Sequence, residues 1–280
     1  MADGGWSMRS SEQIELSEVE FRQLQRLFYE RVGIQLPPIK KPLICGRLNK
    51  RLLALKLPSY QRYYQYLLSS QGEAELEVAI DLITTHETYF FREPKHFDFL
   101  RQQILPKMAG QADFRVWSAA SSTGEEAYTL AMLLHEGRPH LSWSVLGSDI
   151  SREVLRSAER GLYVMERGSK IPPHYLKRYC LKGKGQYQGY FLVERELRER
   201  VQFVHANLNL PMPELGSFDL ILLRNVLIYF DQETKQRVLT NVVECLKPGG
   251  WLMVGHSEAL HDTGLPLELV ASSIYRKVRR

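Results

Sequence analysis

Apolar residues recur at helical spacing through the first third of the chain. Ser17 and Glu20 form a capping box, in which Ser17 is the N-cap of a helix. Apolar positions then repeat at intervals of three and four as far as Gly33, which predicts the end of that helix. Further helices are predicted after Pro42, from near Ser59, over residues 73–84 and from Pro94. This third of the chain is therefore predicted to be all-helical.

After residue 110 the pattern changes to short apolar segments that alternate with amphipathic helices. Such alternation predicts an α/β fold, with a mostly parallel sheet covered by helices on both faces. The predicted strands are 114–117, 144–147, 201–204, 218–223, 251–254 and about 273–277. No helical pattern separates the last two, which favours an antiparallel edge. Residues 182–194 hold three glycines among polar and aromatic residues and predict a small hairpin-like insertion.

The loop after the first predicted strand, residues 118–126, consists of small residues followed by Glu125 and Glu126. Small side chains allow a ligand to approach the backbone closely. The two carboxylates disfavour a phosphate and favour a cationic ligand, such as S-adenosylmethionine with its sulfonium and ammonium groups. In the alternative interpretation, both acids merely complement the dipole of the following helix.

Polar residues also follow the later predicted strands. Asp149 ends the second strand, where a carboxylate commonly accepts the hydroxyls of a ribose. It would otherwise be a helix N-cap, although Ser151 is also suited to that role. Asn207 follows the third strand and Arg224 and Asn225 follow the fourth. Each alone is explained as a turn residue, but together they indicate one cofactor cleft.

Composition adds a possible protein-binding surface. The 280 residues are 44% hydrophobic and 25% charged, as in ordinary globular proteins, with a net charge of +5. The segment 37–56 is basic and contains no acid. On a helix, Arg47, Lys50 and Arg51 share one face, which indicates either an acidic partner or simply a solvated surface.

Cysteine usage and hydropathy bear on location. The three cysteines, Cys45, Cys180 and Cys245, form no close pair, so neither a disulfide framework nor a metal site is expected. The N-terminus lacks a signal-peptide core, and no run of 18 apolar residues occurs. We expect a cytoplasmic protein with no direct membrane insertion, and a monomer.

Five sequence runs resemble the CheR family of chemoreceptor glutamate methyltransferases. They are T-T-H-E-T-Y-F-F-R-E, V-W-S-A-A-S-S-T-G-E-E, G-S-D-I-S, L-R-N-V-L-I-Y-F and L-K-P-G-G-W-L-M-V-G-H-S-E. The resemblance runs from about Ser17 to the C-terminus. It implies a Rossmann-like methyltransferase sheet (94–280), an N-terminal helical receptor-recognition domain (13–84), a linker contributing to the cofactor site (85–93) and a β-subdomain insertion (181–200).

The resemblance also implies methyl transfer from S-adenosylmethionine to receptor glutamates, with methyl esters and S-adenosylhomocysteine as products. Two residues, Arg92 and Tyr229, would face the reacting centre. The implied cofactor contacts are His86, Thr88, Arg92, Glu126, Asp149, Asn207, Leu208, Arg224 and Asn225.

Two surfaces would meet the cytoplasmic domain of the receptor, whose helices are acidic. The first is the basic helix with Arg47, Lys50 and Arg51. The second is the insertion, which in some family members docks a receptor C-terminal peptide. Its implied contacts are Lys182, Gly183, Gly185 and Gly189.

The chain departs from the family pattern at two positions. The family usually has asparagine at the position of His86, and a protonated imidazole would sit badly near a sulfonium, so weaker cofactor binding is expected at low pH. Leu53 replaces a common basic residue on the recognition helix, so receptor preference is expected to differ.

Two other functions compete with receptor methylation. A nucleic-acid methyltransferase is disfavoured because the fourth strand ends in R-N-V-L, without the Pro-rich aromatic tetrapeptide of amino-methylating enzymes, and no nucleic-acid partner is expected. A regulatory module that binds S-adenosylmethionine and acts through protein contacts without catalysis is the alternative function.

Overall fold

The computed structural model describes residues 14–108, 113–137, 141–261 and 263–278. The predicted domain start at residue 13 lies outside them. The chain divides into two compact units: Met1–Arg31 with Gln35–Ile83, and Val32–Ile34 with Thr84–Arg280. None of the helices in the described part of the chain is long and apolar enough to cross a membrane.

The smaller unit is helical, as predicted. Its helices are α1 (Glu18–Val32), α2 (Lys41–Ala54), α3 (Tyr60–Leu68) and α4 (Glu73–Ile83). The capping box of α1 is confirmed: Glu20 Oε2 accepts the Ser17 backbone N–H at 3.0 Å, and Ser17 Oγ accepts that of Glu20 at 3.3 Å. Ser59 caps α3 by accepting the Arg62 N–H.

The inner face of α2 packs into the core of this unit. Ile44, Leu48 and Leu52 are buried at helical spacing, and Tyr60 and Tyr63 of α3 are also fully buried. The opposite face carries the basic residues Arg47, Lys50 and Arg51.

The larger unit contains the predicted sheet. The strands of this unit are β1 (Asp113–Ala119), β2 (Ser142–Asp149), β3 (Leu162–Val164), β4 (Cys180–Lys182), β5 (Tyr190–Val193), β6 (Val201–His205), β7 (Phe218–Leu223), β8 (Leu246–Val254), β9 (Leu267–Ala271) and β10 (Ile274–Lys277). Seven of them form one sheet in the order β6-β2-β1-β7-β8-β10-β9. The neighbours from β6 to β8 are parallel, and β10 is antiparallel to both β8 and β9.

The edge strand β9 was missed by the sequence analysis. Its residues show no alternation between buried and exposed positions, and Leu269 is 65% exposed. An edge strand that buries neither face lacks the period-two pattern by which strands are recognised.

Helices cover the sheet. They are α5 (Pro94–Phe99), α6 (Glu125–Gly137), α7 (Arg152–Arg160), α8 (Pro173–Tyr179), α9 (Arg195–Arg198) and α10 (Gln232–Glu244). Asp231 caps α10, as predicted, by accepting the Thr234 N–H at 2.9 Å. Trp117, Tyr128 and Phe114 are among the largest fully buried side chains between these layers.

The insertion is a separate antiparallel sheet in the order β3-β5-β4. It is wider than the hairpin predicted from the glycines, because β3 is recruited from directly after α7. Phe191 of β5 stacks on Tyr163 of β3 with ring centroids 5.5 Å apart. Residues 195–198, within the predicted insertion, form α9 instead.

Candidate functional site

The carboxyl ends of the five parallel strands, β6, β2, β1, β7 and β8, meet at one edge of the main sheet. From β1 the order runs through β2 to β6 on one side, and β7 lies on the other side of β1. Strand order therefore reverses between β1 and β7, the position at which open α/β sheets bind ligands. The loop after β1, Asp149, Asn207 and Arg224 all follow these strand ends, so the fold brings them to the same edge.

The loop after β1 has an unusual backbone. Ala120, Ser122 and Gly124 all have positive φ values, of 65°, 50° and 93°. A Cβ added at Gly124 would lie 2.9 Å from Ala158 Cβ and 3.0 Å from the Tyr163 hydroxyl. Glycine is therefore required here both by conformation and by close packing, and the loop leads directly into α6.

The two acids that open α6 have different environments. Glu125 is fully buried; it pairs with Arg167 and accepts the Thr123 hydroxyl at 2.6 Å. Glu126 accepts hydrogen bonds from Ser118 Oγ at 2.7 Å and Arg224 Nη1 at 2.8 Å, and its side chain stays 14% exposed.

Burial raises the pKa of both carboxyls. At Glu125 the hydrogen bond from Thr123 and the charge of Arg167 oppose this rise. At Glu126 the charge of Arg224 and the hydrogen bond from Ser118 oppose it. Each carboxylate oxygen has two lone pairs, so Glu126 retains acceptor capacity for a ligand. Glu125 instead belongs to a buried ion pair.

Asp149 is not the N-cap of α7. Ser151 Oγ accepts the Val154 N–H at 3.2 Å and is the cap. The two carboxylate oxygens of Asp149 accept backbone N–H groups from Ser122 at 2.9 Å and from Ser151 at 3.0 Å. Burial raises the pKa of Asp149, against the effect of these hydrogen bonds and of His86. Asp149 thus joins the loop after β1 to the end of β2.

Arg224 lies at the centre of an ion network. Its side chain is only 2% exposed and stacks over Phe97 at 5.4 Å from the ring centroid. The guanidinium contacts Glu126 at 2.8 Å and Glu93 at 3.1 Å, and it donates to the Arg92 carbonyl. Its charged group therefore binds protein carboxylates, a role that the sequence analysis did not predict.

Asn225 is held by two acids that the sequence analysis also missed. It adopts a left-handed backbone conformation with φ of 58°. Glu258 Oε2 accepts its backbone N–H at 2.6 Å, and Glu93 Oε1 accepts its side-chain amide at 3.1 Å. Glu258 also accepts the N–H groups of Gly255 at 2.9 Å and Ile228 at 3.2 Å. The position of Glu258 just after a strand end was the available signal.

The segment before α5 carries three predicted site residues. His86 Nε2 lies 2.7 Å from Thr84 Oγ1, and the His86 carbonyl accepts the Ser122 hydroxyl at 3.4 Å. Arg92 Nη1 donates to the Glu87 carbonyl at 2.6 Å. The third residue is Thr88.

Thr88 is linked to the ion pair between Glu125 and Arg167, because the Thr88 carbonyl accepts a hydrogen bond from Arg167 Nη1 at 3.2 Å. The guanidinium of Arg92 lies 5.7 Å from the centroid of the Tyr89 ring. This segment is therefore fixed at several points although it has no regular secondary structure.

The remaining predicted residues occupy turns. Asn207 Oδ1 accepts the Asn209 N–H at 3.1 Å, as in the turn interpretation. Leu208 is buried, and its carbonyl accepts the Asn241 amide at 3.1 Å. Tyr229 is half-buried at the end of a short helical turn, Leu227–Tyr229, which follows β7. Their contacts with cofactor or substrate stay predictions.

Glu93 also belongs to a group of possible metal ligands. One ligand atom each from Glu93, His96 and His256 lies within 4.8 Å of the others. Ser273 Oγ is 3.1 Å from a ring nitrogen of each histidine. Burial, and then the charge of Arg224, lowers the pKa of His96 to about 3. The carboxylate already binds the Arg224 cation, which competes with a metal ion.

The predicted receptor-binding helix, α2, is less free than its sequence suggests. Although segment 37–56 contains no acid, Arg51 pairs with Glu75 of α4 at 2.9 Å and 2.6 Å. Arg47 donates to the Leu82 carbonyl at 2.9 Å, whereas Lys50 is exposed. The basic face is therefore partly used within the unit itself.

In the insertion, the glycines shape a turn between β4 and β5. A Cβ at Gly183 would lie 2.0 Å from the Tyr187 carbonyl oxygen, so a side chain is excluded there. Gly185 and Gly189 have φ of 59° and 87° and open space around them. Lys182 is exposed at the end of β4.

Two family models match the chain. The CheR methyltransferase all-alpha domain matches residues 19–84, and the CheR methyltransferase SAM-binding domain matches residues 86–275. The chain belongs to the CheR methyltransferase family. It is a chemotaxis methyltransferase that depends on S-adenosylmethionine, which confirms the predicted family, fold class and cofactor.

Relatives support this assignment over nearly the whole chain. The chemotaxis protein methyltransferase of Escherichia coli is 40% identical over 96% of this chain and 94% of its own length. That of Salmonella typhimurium is 37% identical over 96% and 93%, and that of Borreliella burgdorferi 37% over 94% and 96%.

Among solved structures, the glycopeptide N-methyltransferase MtfA complexed with S-adenosylmethionine covers 54% of this chain and 47% of its own. It is 16% identical, with a TM-score of 0.33. That likeness is too low to support any inference about the site.

Proposed function

We propose that this CheR family member transfers methyl groups from S-adenosylmethionine to glutamate side chains of bacterial chemoreceptors in adaptation, forming methyl esters. The observation that carries the proposal is the match of both CheR domains, together covering residues 19–84 and 86–275. The relatives' name, chemotaxis protein methyltransferase, agrees with a receptor substrate.

The residues at the sheet edge fit the cofactor chemically. Glu126 offers a partly exposed carboxylate near the reversal of strand order, suited to the cofactor's ammonium group. Asp149 offers a carboxylate for ribose hydroxyls. We assign the other contacts to backbone or side-chain groups of His86, Thr88, Arg92, Asn207, Leu208, Arg224 and Asn225. When bound, the cofactor supplies a methyl group activated by its sulfonium.

The acceptor chemistry needs no general base. A glutamate side chain is ionised at neutral pH because its ordinary pKa is about 4.3. The protein must orient that carboxylate and exclude water from it without neutralising it. We assign the orientation of the carboxylate to Arg92, whose guanidinium is anchored to the Glu87 carbonyl at 2.6 Å. The Tyr229 hydroxyl would donate a hydrogen bond to the same carboxylate.

Receptor recognition is assigned to both units. In residues 13–84, α2 would contact acidic receptor helices through Lys50, with Arg47 and Arg51 contributing charge. Since Arg51 already pairs with Glu75, Lys50 is the strongest of the three assignments. In residues 181–200, Lys182 and the turn glycines would capture a receptor peptide. Residues 85–93 and 94–280 would hold the cofactor.

The test is methyl transfer from labelled S-adenosylmethionine to receptor-containing membranes, followed by release of base-labile label as methanol. We expect label on the receptor, with slower transfer by Arg92→Ala and by Tyr229→Phe. Wild-type rates in both variants would refute the catalytic assignment. Cofactor binding without any base-labile label on the receptor would favour the regulatory module instead.

A further inference from the structure

Glu93 stands in a strained position next to the proposed catalytic arginine. It occupies the N-cap position of α5 with φ of 56° and ψ of 66°, yet its side chain makes no capping hydrogen bond. Phe91 has a φ of 58°. Left-handed backbone is unfavourable for residues with a Cβ, so contacts elsewhere in the fold must hold this conformation in place.

The carboxylate of Glu93 supplies those contacts. Its side chain is 15% exposed, and both oxygens bind the two residues that follow β7. Oε2 lies 3.1 Å from Arg224 Nη2, and Oε1 accepts the Asn225 amide at 3.1 Å. One side chain thus fixes both a buried cation and the left-handed Asn225.

Arg224 transmits this constraint in two directions. Its Nη2 also donates to the Arg92 carbonyl, which holds the backbone of the residue assigned to the acceptor carboxylate. Its Nη1 holds Glu126 Oε2 at 2.8 Å, the carboxylate assigned to the cofactor. Ser118 at the end of β1 completes the chain by donating to Glu126 Oε1 at 2.7 Å.

We propose that Glu93 is a positioning residue of the methyl-transfer reaction. It acts through Arg224 and Asn225 to hold Glu126 and Arg92 in their positions relative to each other. This inference rests on the proposed function for the roles of Arg92 and Glu126. Burial alone would raise the pKa of Glu93, but Arg224 and the hydrogen bonds from Asn225 and Arg224 lower it below its ordinary value. The carboxylate is therefore charged at neutral pH.

Glu93→Gln is the informative variant, because it keeps the shape and removes the charge. The amide can still accept from Asn225, but its NH2 group faces the donors of Arg224. Loss of a charged hydrogen bond corresponds to about a 10- to 100-fold change in an equilibrium or rate constant. We expect kcat for receptor methylation to fall by that factor and the Kd for S-adenosylhomocysteine, measured by calorimetry, to rise several-fold.

Two further variants make the result specific. Asp98→Asn removes an exposed carboxylate of α5 that pairs with Arg101 at 2.8 Å. It should change neither kcat nor the Kd for S-adenosylhomocysteine. Glu93→Asp restores the charge on a shorter side chain and should recover part of kcat. The KM for receptor should stay near that of the wild type in all three, because none of the altered side chains is assigned to receptor binding.

The outcomes separate the two proposals. Unchanged Kd and kcat in a folded Glu93→Gln protein would overturn the positioning role, as would equal losses in Glu93→Gln and Glu93→Asp. Wild-type binding of S-adenosylhomocysteine without transfer to receptor would instead count against the proposed function, and the binding comparison would still test Glu93.

Treatment with EDTA and Zn²⁺ tests the competing interpretation, in which Glu93, His96 and His256 bind a metal ion. If EDTA abolished wild-type binding and Zn²⁺ restored it, Glu93, His96 and His256 would be metal ligands, and the positioning role would be wrong. We expect no effect of EDTA, since Arg224 occupies the carboxylate.

Discussion

Replacing Glu126 by glutamine distinguishes the role of Glu126 from that of Glu125, the other acid in the first turn of α6. The assignment to the cofactor rests on Glu126, whose side chain is 14% exposed, whereas Glu125 is fully buried against Arg167. A charged hydrogen bond contributes about 1.5–3 kcal/mol, equivalent to about 10- to 100-fold in Kd. We expect Glu126→Gln to weaken binding of S-adenosylhomocysteine by this factor.

Part of the effect of Glu126→Gln comes through the network. Arg224 keeps Glu93 as a partner at 3.1 Å, so it is not left as an isolated buried cation. The fold should survive, with a modest loss of thermal stability. Isothermal titration calorimetry at a fixed pH and salt concentration measures the affinity, and thermal melting monitors the fold.

Glu125→Gln is the matched control. It breaks the pair with Arg167, whose side chain is 39% exposed, so the solvent-screened loss is about 1–2 kcal/mol of unfolding free energy. Its effect on affinity should be smaller than that of Glu126→Gln, since Glu125 has no exposed oxygen. Weaker binding in Glu125→Gln together with normal binding in Glu126→Gln would refute the reasoning.

Three further predictions concern local structure. Ser17→Ala removes the capping box and should lower the unfolding free energy by about 1 kcal/mol; an unchanged urea titration would contradict it. Gly124→Ala places a Cβ 2.9 Å from Ala158 Cβ at a φ of 93°, so we expect it to destabilise the fold and weaken cofactor binding, measured by melting and calorimetry. Burial raises the pKa of the Cys180 thiol to about 12; at pH 8 it stays protonated, so a disulfide reagent should label it far more slowly in native than in urea-unfolded protein.

The network around Arg224 gives this site a particular electrostatic character. One guanidinium faces two carboxylates, Glu93 and Glu126, so the cluster carries net negative charge. A buried excess of negative charge near the reversal of strand order suits a cationic ligand. The same cluster would repel a phosphate, in agreement with the chemistry of the loop after β1.

Much of the architecture followed from local signals in the sequence. The capping box at Ser17 and the cap at Asp231 work over three residues, so their hydrogen bonds depend on neighbouring positions alone. Strand β7 was predicted with its observed bounds because it is buried on both faces and reads as a continuous apolar run.

Only the tertiary structure decided which charges meet. Arg51 and Glu75 are 24 residues apart, and Arg224 and Glu126 are 98 apart. No local pattern encodes such a pairing, because it depends on how helices pack and on strand order in the sheet. The sequence therefore determined the family, most of the helices and strands, and the acidic loop. The fold determined that Arg224 binds carboxylates and that Glu93 contacts both Arg224 and Asn225.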